Sequence, residues 1–258
     1  ATQSSLTGGI TNSGSISGGY SGILVDQSSV SGGLYNTGSI TGGQFGMIVG
    51  YSTLVGDISN LGFITGSTAT GFYDTGSAGL HLLNTSLLGA ILNEGQIVST
   101  GEAGVLFDGS TISAGIINSG TISGGLTGIV AYRSTLTGSI NNSGLISGGS
   151  AGIVALSSTL TGGITNSGLI NGDHNNGIHA NYSTLTDGIN NSGSISGRQH
   201  GIYASLSSLT GGITNSGLIS GGSVGIAAVQ STREGGINNS GLISGNGAGI
   251  GAVGSTLT

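Results

Sequence analysis

Apolar residues recur along this chain on a fixed period and alternate with polar residues over short stretches. An aliphatic residue stands two positions before, and Ile four positions after, the Asn of each Asn-x-Gly tripeptide. The tripeptide recurs every 24 or 25 residues, with one interval of 33. Its ten copies begin at Asn12, Asn36, Asn60, Asn93, Asn118, Asn142, Asn166, Asn191, Asn215 and Asn239. Such self-similarity is the signature of a repeat architecture.

Alternation of apolar and polar residues over three or four positions predicts β-strands, because side chains on a strand point to opposite faces in turn. Residues 80–92 are apolar enough to resemble a buried helix, but they fall into the same repeat columns and are predicted as strand, turn and strand. We therefore expect an all-β fold, a right-handed parallel β-helix of about ten coils with about 24 residues per coil. At about 4.8 Å per coil, residues 1–258 would form a single rod about 45–50 Å long.

The Asn column is predicted to line one corner of the coil, with the side-chain amides bonded to one another along the rod. The Gly of each tripeptide is expected to supply a left-handed backbone conformation at that corner. A second polar column contains hydroxyl side chains at Ser28, Ser52, Thr85, Ser110, Ser134, Ser158, Ser183, Ser207, Ser231 and Ser255.

Composition narrows the possible functions. The chain has 57 Gly among 258 residues, no Pro, no Cys and a net charge of -6, with Arg133, Arg198 and Arg233 as its only basic side chains apart from His. Three scattered Arg cannot form the basic surface that nucleic-acid binding requires. Lack of Cys excludes disulfide scaffolds and Cys-ligated metal sites, and we expect no cofactor.

The repeat changes length at one place in the coil, the turn between the Ile-Ser-Gly and Gly-Ile segments. Single extra residues fall in 99–104 and 172–177, and about nine fall in the insertion loop 66–79. Insertions on one edge of a solenoid often mark its binding edge, although this turn could simply tolerate length. The candidate binding residues at this edge and in the exposed columns are Phe72, Tyr73, Asp74, Asp173, His174, His179, Arg198, His200 and Tyr203.

The candidate residues support few specific chemistries. Asp173 and Arg198 follow equivalent glycines in neighbouring coils, so they are expected to stack as a solvated ion pair or to grip a ligand. The His residues are too few and too irregularly spaced for a convincing metal site. Catalysis by a β-helix needs clustered carboxylates, whereas the Asp residues fall in different coils, so we expect no enzyme.

Two outward columns of apolar residues and an array of Thr residues are further candidates for interaction surfaces. Apolar stripes are expected in the column of Leu24, Ile48, Leu106, Val130 and Val154 and in the column of Phe63, Leu145, Leu169, Leu218 and Leu242. Exposed stripes of this kind suggest a partner surface or a mildly apolar sheet face. Thr-x-Thr pairs at 135–137, 159–161, 184–186 and 256–258 form an interrupted array that could also bind ice.

The best-formed repeat reads S-T-L-T-G-G-I-T-N-S-G-L-I-S-G, followed by G-I-x-A. It resembles the β-helical passenger domains of Gram-negative autotransporters and filamentous haemagglutinin-like adhesins. That resemblance implies display on the bacterial outer membrane through a C-terminal translocator barrel, with adhesion to host surfaces or self-association in biofilms. We accordingly expect an extracellular, non-enzymatic stalk or adhesin.

The repeat phase is the same at both ends of the sequence, at residues 4–10 and 255–258. This leaves two expectations open, a fragment of a longer repeat array or a filament subunit that stacks head-to-tail through open coils. Lateral association into a homo-oligomer is a further possibility for the apolar stripes.

Overall fold

The computed structural model describes residues 1–67 and 76–257, and its regular secondary structure consists of short β-strands. The strands wind into a parallel β-solenoid of about ten coils, with about 24 residues per turn and four parallel sheets. We number the sheets 1 to 4 in the order in which each coil visits them. No helix that could cross a membrane occurs in residues 1–67 and 76–257.

Sheets 1 and 2 contain the shorter strands. Sheet 1 consists of β1 (Ser5–Leu6), β5 (Ser29–Ser31), β9 (Thr53–Val55), β13 (Ser86–Leu87), β17 (Thr111–Ile112), β21 (Thr135–Leu136), β25 (Thr159–Leu160), β29 (Thr184–Leu185), β33 (Ser208–Leu209), β37 (Thr232–Arg233) and β41 (Thr256–Leu257). Sheet 2 consists of β2 (Ile10–Asn12), β6 (Leu34–Asn36), β10 (Ile58–Asn60), β14 (Ile91–Asn93), β18 (Ile116–Asn118), β22 (Ile140–Asn142), β26 (Ile164–Asn166), β30 (Ile189–Asn191), β34 (Ile213–Asn215) and β38 (Ile237–Asn239).

Sheets 3 and 4 contain the longer strands. Sheet 3 consists of β3 (Ser15–Gly18), β7 (Ser39–Gly42), β11 (Phe63–Gly66), β15 (Gln96–Ser99), β19 (Thr121–Gly124), β23 (Leu145–Gly148), β27 (Leu169–Gly172), β31 (Ser194–Gly197), β35 (Leu218–Gly221) and β39 (Leu242–Gly245). Sheet 4 consists of β4 (Ser21–Asp26), β8 (Phe45–Gly50), β12 (Ala78–Leu83), β16 (Ala103–Asp108), β20 (Thr127–Tyr132), β24 (Ala151–Leu156), β28 (Asn176–Asn181), β32 (His200–Ser205), β36 (Val224–Val229) and β40 (Ala248–Val253).

The predicted register is confirmed, because equivalent repeat positions are paired across neighbouring coils. Asn142 pairs with Asn166, and Ile146 with Ile170. Residues 80–92 lie in β12, β13 and β14, as predicted, and contain no helix. On either side of the predicted insertion loop, β11 ends at Gly66 and β12 begins at Ala78.

The inward side chains of all four sheets form one apolar core along the rod. In one coil this core contains Ile129, Ala131, Leu136, Ile140 and Ile146, each at most 3% exposed. Burial of these aliphatic side chains is the main favourable contribution to folding. The core column of sheet 1 is interrupted by Arg233, which is buried opposite Leu209.

The two predicted polar columns are ladders of hydrogen bonds. Each Asn Nδ2 donates to the Oδ1 of the next Asn, as between Asn118 and Asn142 at 2.7 Å. In the hydroxyl column the backbone amide of one coil donates to the hydroxyl of the next, as from Ser134 to Ser158 Oγ at 3.0 Å. Both ladders satisfy buried polar groups that the corners would otherwise leave unpaired.

The predicted role of the Asn-x-Gly glycines is wrong, because none of them has a positive φ. A Cβ on Gly144 would lie 2.1 Å from the Gly120 carbonyl oxygen, so glycine is needed for close stacking of coils. The left-handed conformation occurs instead at two other columns, the glycines just before sheet 2, such as Gly163 with φ 68°, and a column just before the hydroxyl ladder. The non-glycine members of the second of these columns are Gln3, Gln27, Tyr51, Asn84, Arg133, Ser157, Tyr182, Leu206 and Gln230, with φ between 45° and 50°.

The expectation of two exposed apolar stripes holds on sheet 3 and fails on part of sheet 4. Phe63, on sheet 3, is 52% exposed. On sheet 4, Ile48, Leu106 and Val130 are buried in a small outer cluster with Phe45. Part of a column that the sequence suggested would face solvent is therefore buried within this cluster.

The Thr-x-Thr pairs do not form two equivalent rows. Thr135 begins β21, whereas Thr137 follows its end. The Thr137 hydroxyl donates to the Ser113 carbonyl at 2.7 Å, and the Thr161 hydroxyl donates to the Thr137 carbonyl at 3.1 Å. These hydroxyl protons of the second row bond along the rod.

Candidate binding site on sheet 4

Several aromatic and imidazole residues that depart from the repeat lie on the outer side of sheet 4. One outward column of this sheet contains Leu24, Ile48, His81, Leu106, Val130, Val154, His179, Tyr203, Ala227 and Gly251. Successive members are separated by one strand spacing, about 4.8 Å. Aromatic and imidazole side chains in adjacent coils can therefore lie against one another.

An open groove of about 380 Å³ lies where the column changes from aliphatic to aromatic. We call it the histidine groove, and its lining residues are Ser150, Ala151, Val154, Asn175, Asn176, His179, Gln199, His200 and Tyr203. Strands β24, β28 and β32 and the turns before each of them supply these side chains. The groove thus combines two strand columns with the turn in which repeat length varies.

Tyr203 is the centre of an aromatic cluster in this groove. Its ring stacks on His200 with the centroids 4.9 Å apart and the planes at 23°, and it contacts His179 with the centroids 5.2 Å apart. Offset stacked and tilted rings at such distances attract one another. The cluster therefore holds the Tyr203 ring in place beside the polar side chains of the groove.

Hydrogen bonds orient two of the polar side chains. His200 Nδ1 donates to Asn176 Oδ1 at 2.9 Å, so Nε2 of the neutral ring is an acceptor. Asn175 Nδ2 donates to Ser150 Oγ at 2.6 Å. The groove is consequently preorganised by bonds between consecutive coils.

Both imidazoles of the groove favour the uncharged state at neutral pH. Burial, and in second place the nearby charge of protonated His200, lowers the pKa of His179. Burial also lowers the pKa of His200. Since the lining contains no Asp, Glu, Lys or Arg, the histidine groove is electrically neutral at pH 7.

A second groove of about 310 Å³ lies further toward the N-terminus on the same face. Its lining includes His81, Glu102, Asp108 and Tyr132 together with Leu106, Val130 and other apolar residues. Burial raises the pKa of Glu102 and lowers the pKa of His81 to about 4. This groove therefore contains two carboxyl groups, whereas the histidine groove contains none.

The structure brings together only part of the predicted candidate set. His179, His200 and Tyr203 meet in the histidine groove. Phe72, Tyr73 and Asp74 lie outside the described residues. The remaining candidates, Asp173, His174 and Arg198, are exposed in the turns beside the groove.

The expected ion pair between Asp173 and Arg198 is not formed, although Asp173 and Arg198 do follow the paired residues Gly172 and Gly197 in adjacent coils. The Asp173 carboxylate instead accepts a hydrogen bond from Asn171 Nδ2, and His174 Nδ1 donates to the Gly149 carbonyl. Arg198 extends into solvent, where an ion pair would contribute little.

Sequence reasoning missed the amide side chains of the groove and the burial of His81. Asn175 and Asn176 were detectable in principle, because they stand in the turn at 172–177 that contains an extra residue. His81 was detectable as a polar residue between Ile48 and Leu106 in an apolar column. The part of the chain that the structure describes has no group of three or more His, Asp, Glu or Cys side chains placed to hold a metal ion.

Comparison with known proteins adds no relative. The chain matches no protein-family model, no curated protein and no solved structure.

Proposed function

We propose that this chain is a non-enzymatic β-helical stalk of an extracellular bacterial adhesin, with sheet 4 as its adhesive face. The observation that supports the proposal most is the segregation of constant and variable columns. The Asn ladder runs without interruption from Asn12 to Asn239, while His179, His200 and Tyr203, which depart from the repeat, meet in one groove on sheet 4. A stiff rod with one differentiated face suits extension from a cell surface and contact with a host surface or a second rod.

The neutral histidine groove favours binding over catalysis. General acid–base hydrolysis of a glycosidic bond, the reaction of many β-helical enzymes, needs two carboxyl groups on either side of the bond. No carboxylate lines this groove. The resemblance of the repeats to autotransporter passengers supports display through a C-terminal translocator barrel in the full-length protein.

Adhesion of beads coated with the purified chain tests the proposal. We expect coated beads to adhere to an epithelial monolayer, or to one another, severalfold more than albumin-coated beads. The triple variant His179→Ala, His200→Ala and Tyr203→Ala should lose most of this adhesion. A matched triple variant on sheet 3, Phe63→Ala, Leu169→Ala and Leu242→Ala, should retain it.

Two results would overturn the proposal: adhesion no greater than that of albumin beads, or a loss confined to the sheet 3 variant. A deletion of residues 68–75 tests whether the insertion loop contributes to adhesion. The deletion is restricted to this range because removal of 66–79 would also cut into β11 and β12. Negative-stain microscopy of the same sample separates this function from filament growth, which would produce rods longer than one chain.

A further inference from the structure

Several polar groups of the histidine groove are not used by the protein itself. The Tyr203 hydroxyl, the Gln199 amide and the His179 ring nitrogens form no hydrogen bond with any described residue. Asn176 uses its Oδ1 to accept from His200, which leaves its Nδ2 available. Donors and acceptors of several kinds therefore converge on one groove, ready for an external partner.

The Tyr203 ring adds an apolar platform beside these groups. His179 and His200 contact this ring, and the Tyr203 side chain is half-buried rather than enclosed. The face of an aromatic ring has partial negative charge and attracts the weakly positive C–H groups of a ligand. An aromatic face bordered by amide groups suits a ligand that has both C–H surfaces and hydroxyl groups.

Charge restricts the ligand further. The groove lining has no ionic side chain, and the whole chain has a net charge of -6, which disfavours phosphates and other anions. A metal ion would find at most the two imidazoles of His179 and His200, without a carboxylate or thiolate. The volume of about 380 Å³ lies at the small end of the range for ligand pockets, ~300–1,000 Å³.

We propose that the histidine groove binds a neutral saccharide, with one sugar ring stacked on Tyr203 and its hydroxyl groups hydrogen-bonded to Asn176, Gln199 and His179. Amide side chains suit this role because each offers donors and an acceptor to adjacent hydroxyl groups. The inference rests on the proposed adhesive function and names the ligand class of its adhesive face.

Binding of defined disaccharides tests the inference directly. Lactose, cellobiose, maltose and mannobiose would be titrated into the purified chain at pH 7 by calorimetry and by saturation-transfer NMR. We expect at least one to bind with a Kd in the range of about 1 mM, the weak affinity typical of one small open site. Saturation transfer should be strongest to the protons on one face of a single sugar ring.

Variants locate the bound sugar. Tyr203→Ala should weaken binding about tenfold or more, and the exposed change Gln199→Ala about threefold, with an unaltered circular dichroism spectrum. Tyr203→Phe should retain most of the affinity, because it preserves the stacking ring. Tyr35→Ala on sheet 2 is the matched control, since it removes another exposed tyrosine from a different face and should leave affinity unchanged.

Four results would overturn the inference: no binding of any of the four disaccharides at about 50 mM, equal binding by Tyr203→Ala, preference for the anionic sialyllactose, or Zn²⁺ binding far tighter than any sugar. The bead assay distinguishes this failure from failure of the proposed function. Adhesion that neither Tyr203→Ala nor free disaccharide reduces would refute the sugar site and leave the adhesive stalk standing.

Discussion

His81 is a buried ionisable side chain on the outer side of sheet 4, in a column between Ile48 and Leu106. It is 3% exposed, its ring centroid lies 5.1 Å from that of Phe45, and neither ring nitrogen has a hydrogen-bond partner among the described residues. Because burial removes water from the charged form, the pKa of His81 is lowered to about 4. One residue thus links the stability of the rod to pH.

The substitution His81→Leu should remove that dependence. The unfolded chain protonates His81 below about pH 6.5 and the folded chain only below about 4, so between these values the unfolded state binds more protons. Burial of neutral His81 therefore costs no stability above about pH 6.5. Below that value the free energy of unfolding decreases as the pH falls. Between pH 7.5 and 4, the free energy of unfolding should fall by about 3 kcal/mol more in the wild type than in the variant.

Urea unfolding across this pH range provides the measurement. His179, His200 and Glu102, whose pKa values are also shifted, are present in both proteins, so the difference isolates His81. Leucine fits the column, since Ile48 and Leu106 occupy the adjacent coils. Equal pH dependence in the two proteins would contradict the burial argument.

At the scale of the element, the Asn ladder defines the corner between sheets 2 and 3. Asn142 Nδ2 donates to Asn166 Oδ1 at 2.8 Å and to the carbonyls of Gly144 and Leu169 at 3.1 Å, and Asn142 Oδ1 accepts from Asn118 Nδ2. Only a side chain with both a donor and an acceptor can continue this pattern from coil to coil. The amide is therefore required at this position for its chemistry as well as its size.

Asn142→Asp should be far more damaging than the neighbouring change Asn141→Asp. The buried carboxylate at 142 has no proton to donate and would face three oxygen atoms, at a cost of about 3 kcal/mol or more. Asn141 is exposed in the same strand, so its change should alter stability by less than about 0.5 kcal/mol. Chemical denaturation of both variants compares them, and similar losses would argue against the ladder as the cause.

At the scale of the whole molecule, each coil contacts mainly the coils before and after it. Sheet neighbours are always equivalent strands of consecutive coils. Stability in such a rod is approximately a sum of coil and interface contributions. Loss of a complete coil should therefore be tolerated, provided that the register is kept.

Deletion of residues 134–157, one full period, should yield a folded rod shortened by about 4.8 Å. Arg133 would then precede Ser158, which repeats the native order of a left-handed residue followed by a ladder hydroxyl. Circular dichroism and small-angle scattering would follow the fold and the length. The half-period deletion 134–145 is the control, and it should fail to fold because it joins sheet 4 to sheet 3 out of phase.

The candidate site was predictable only in part. The repeat register placed His179 beside Tyr203, because both occupy one column of adjacent coils. It did not place His200 against Tyr203, because residues three apart in a regularly alternating strand point to opposite faces, and it did not reveal the amides around them. Pairing within sheets follows from repeat spacing, whereas contacts between columns depend on the actual path of the backbone.

The sequence by itself determined the solenoid, the coil length, the register and both ladders, because all of them follow from local alternation repeated at one period. Only the tertiary structure decided which outward residues are buried, where the left-handed conformation falls and why the corner glycines are required. The corner glycines are required because the coils stack closely, as at Gly144. The burial of His81 depends on large neighbours such as Phe45. A one-dimensional repeat specifies which residues are neighbours along the rod. The size and direction of side chains from other columns decide what each outward residue meets.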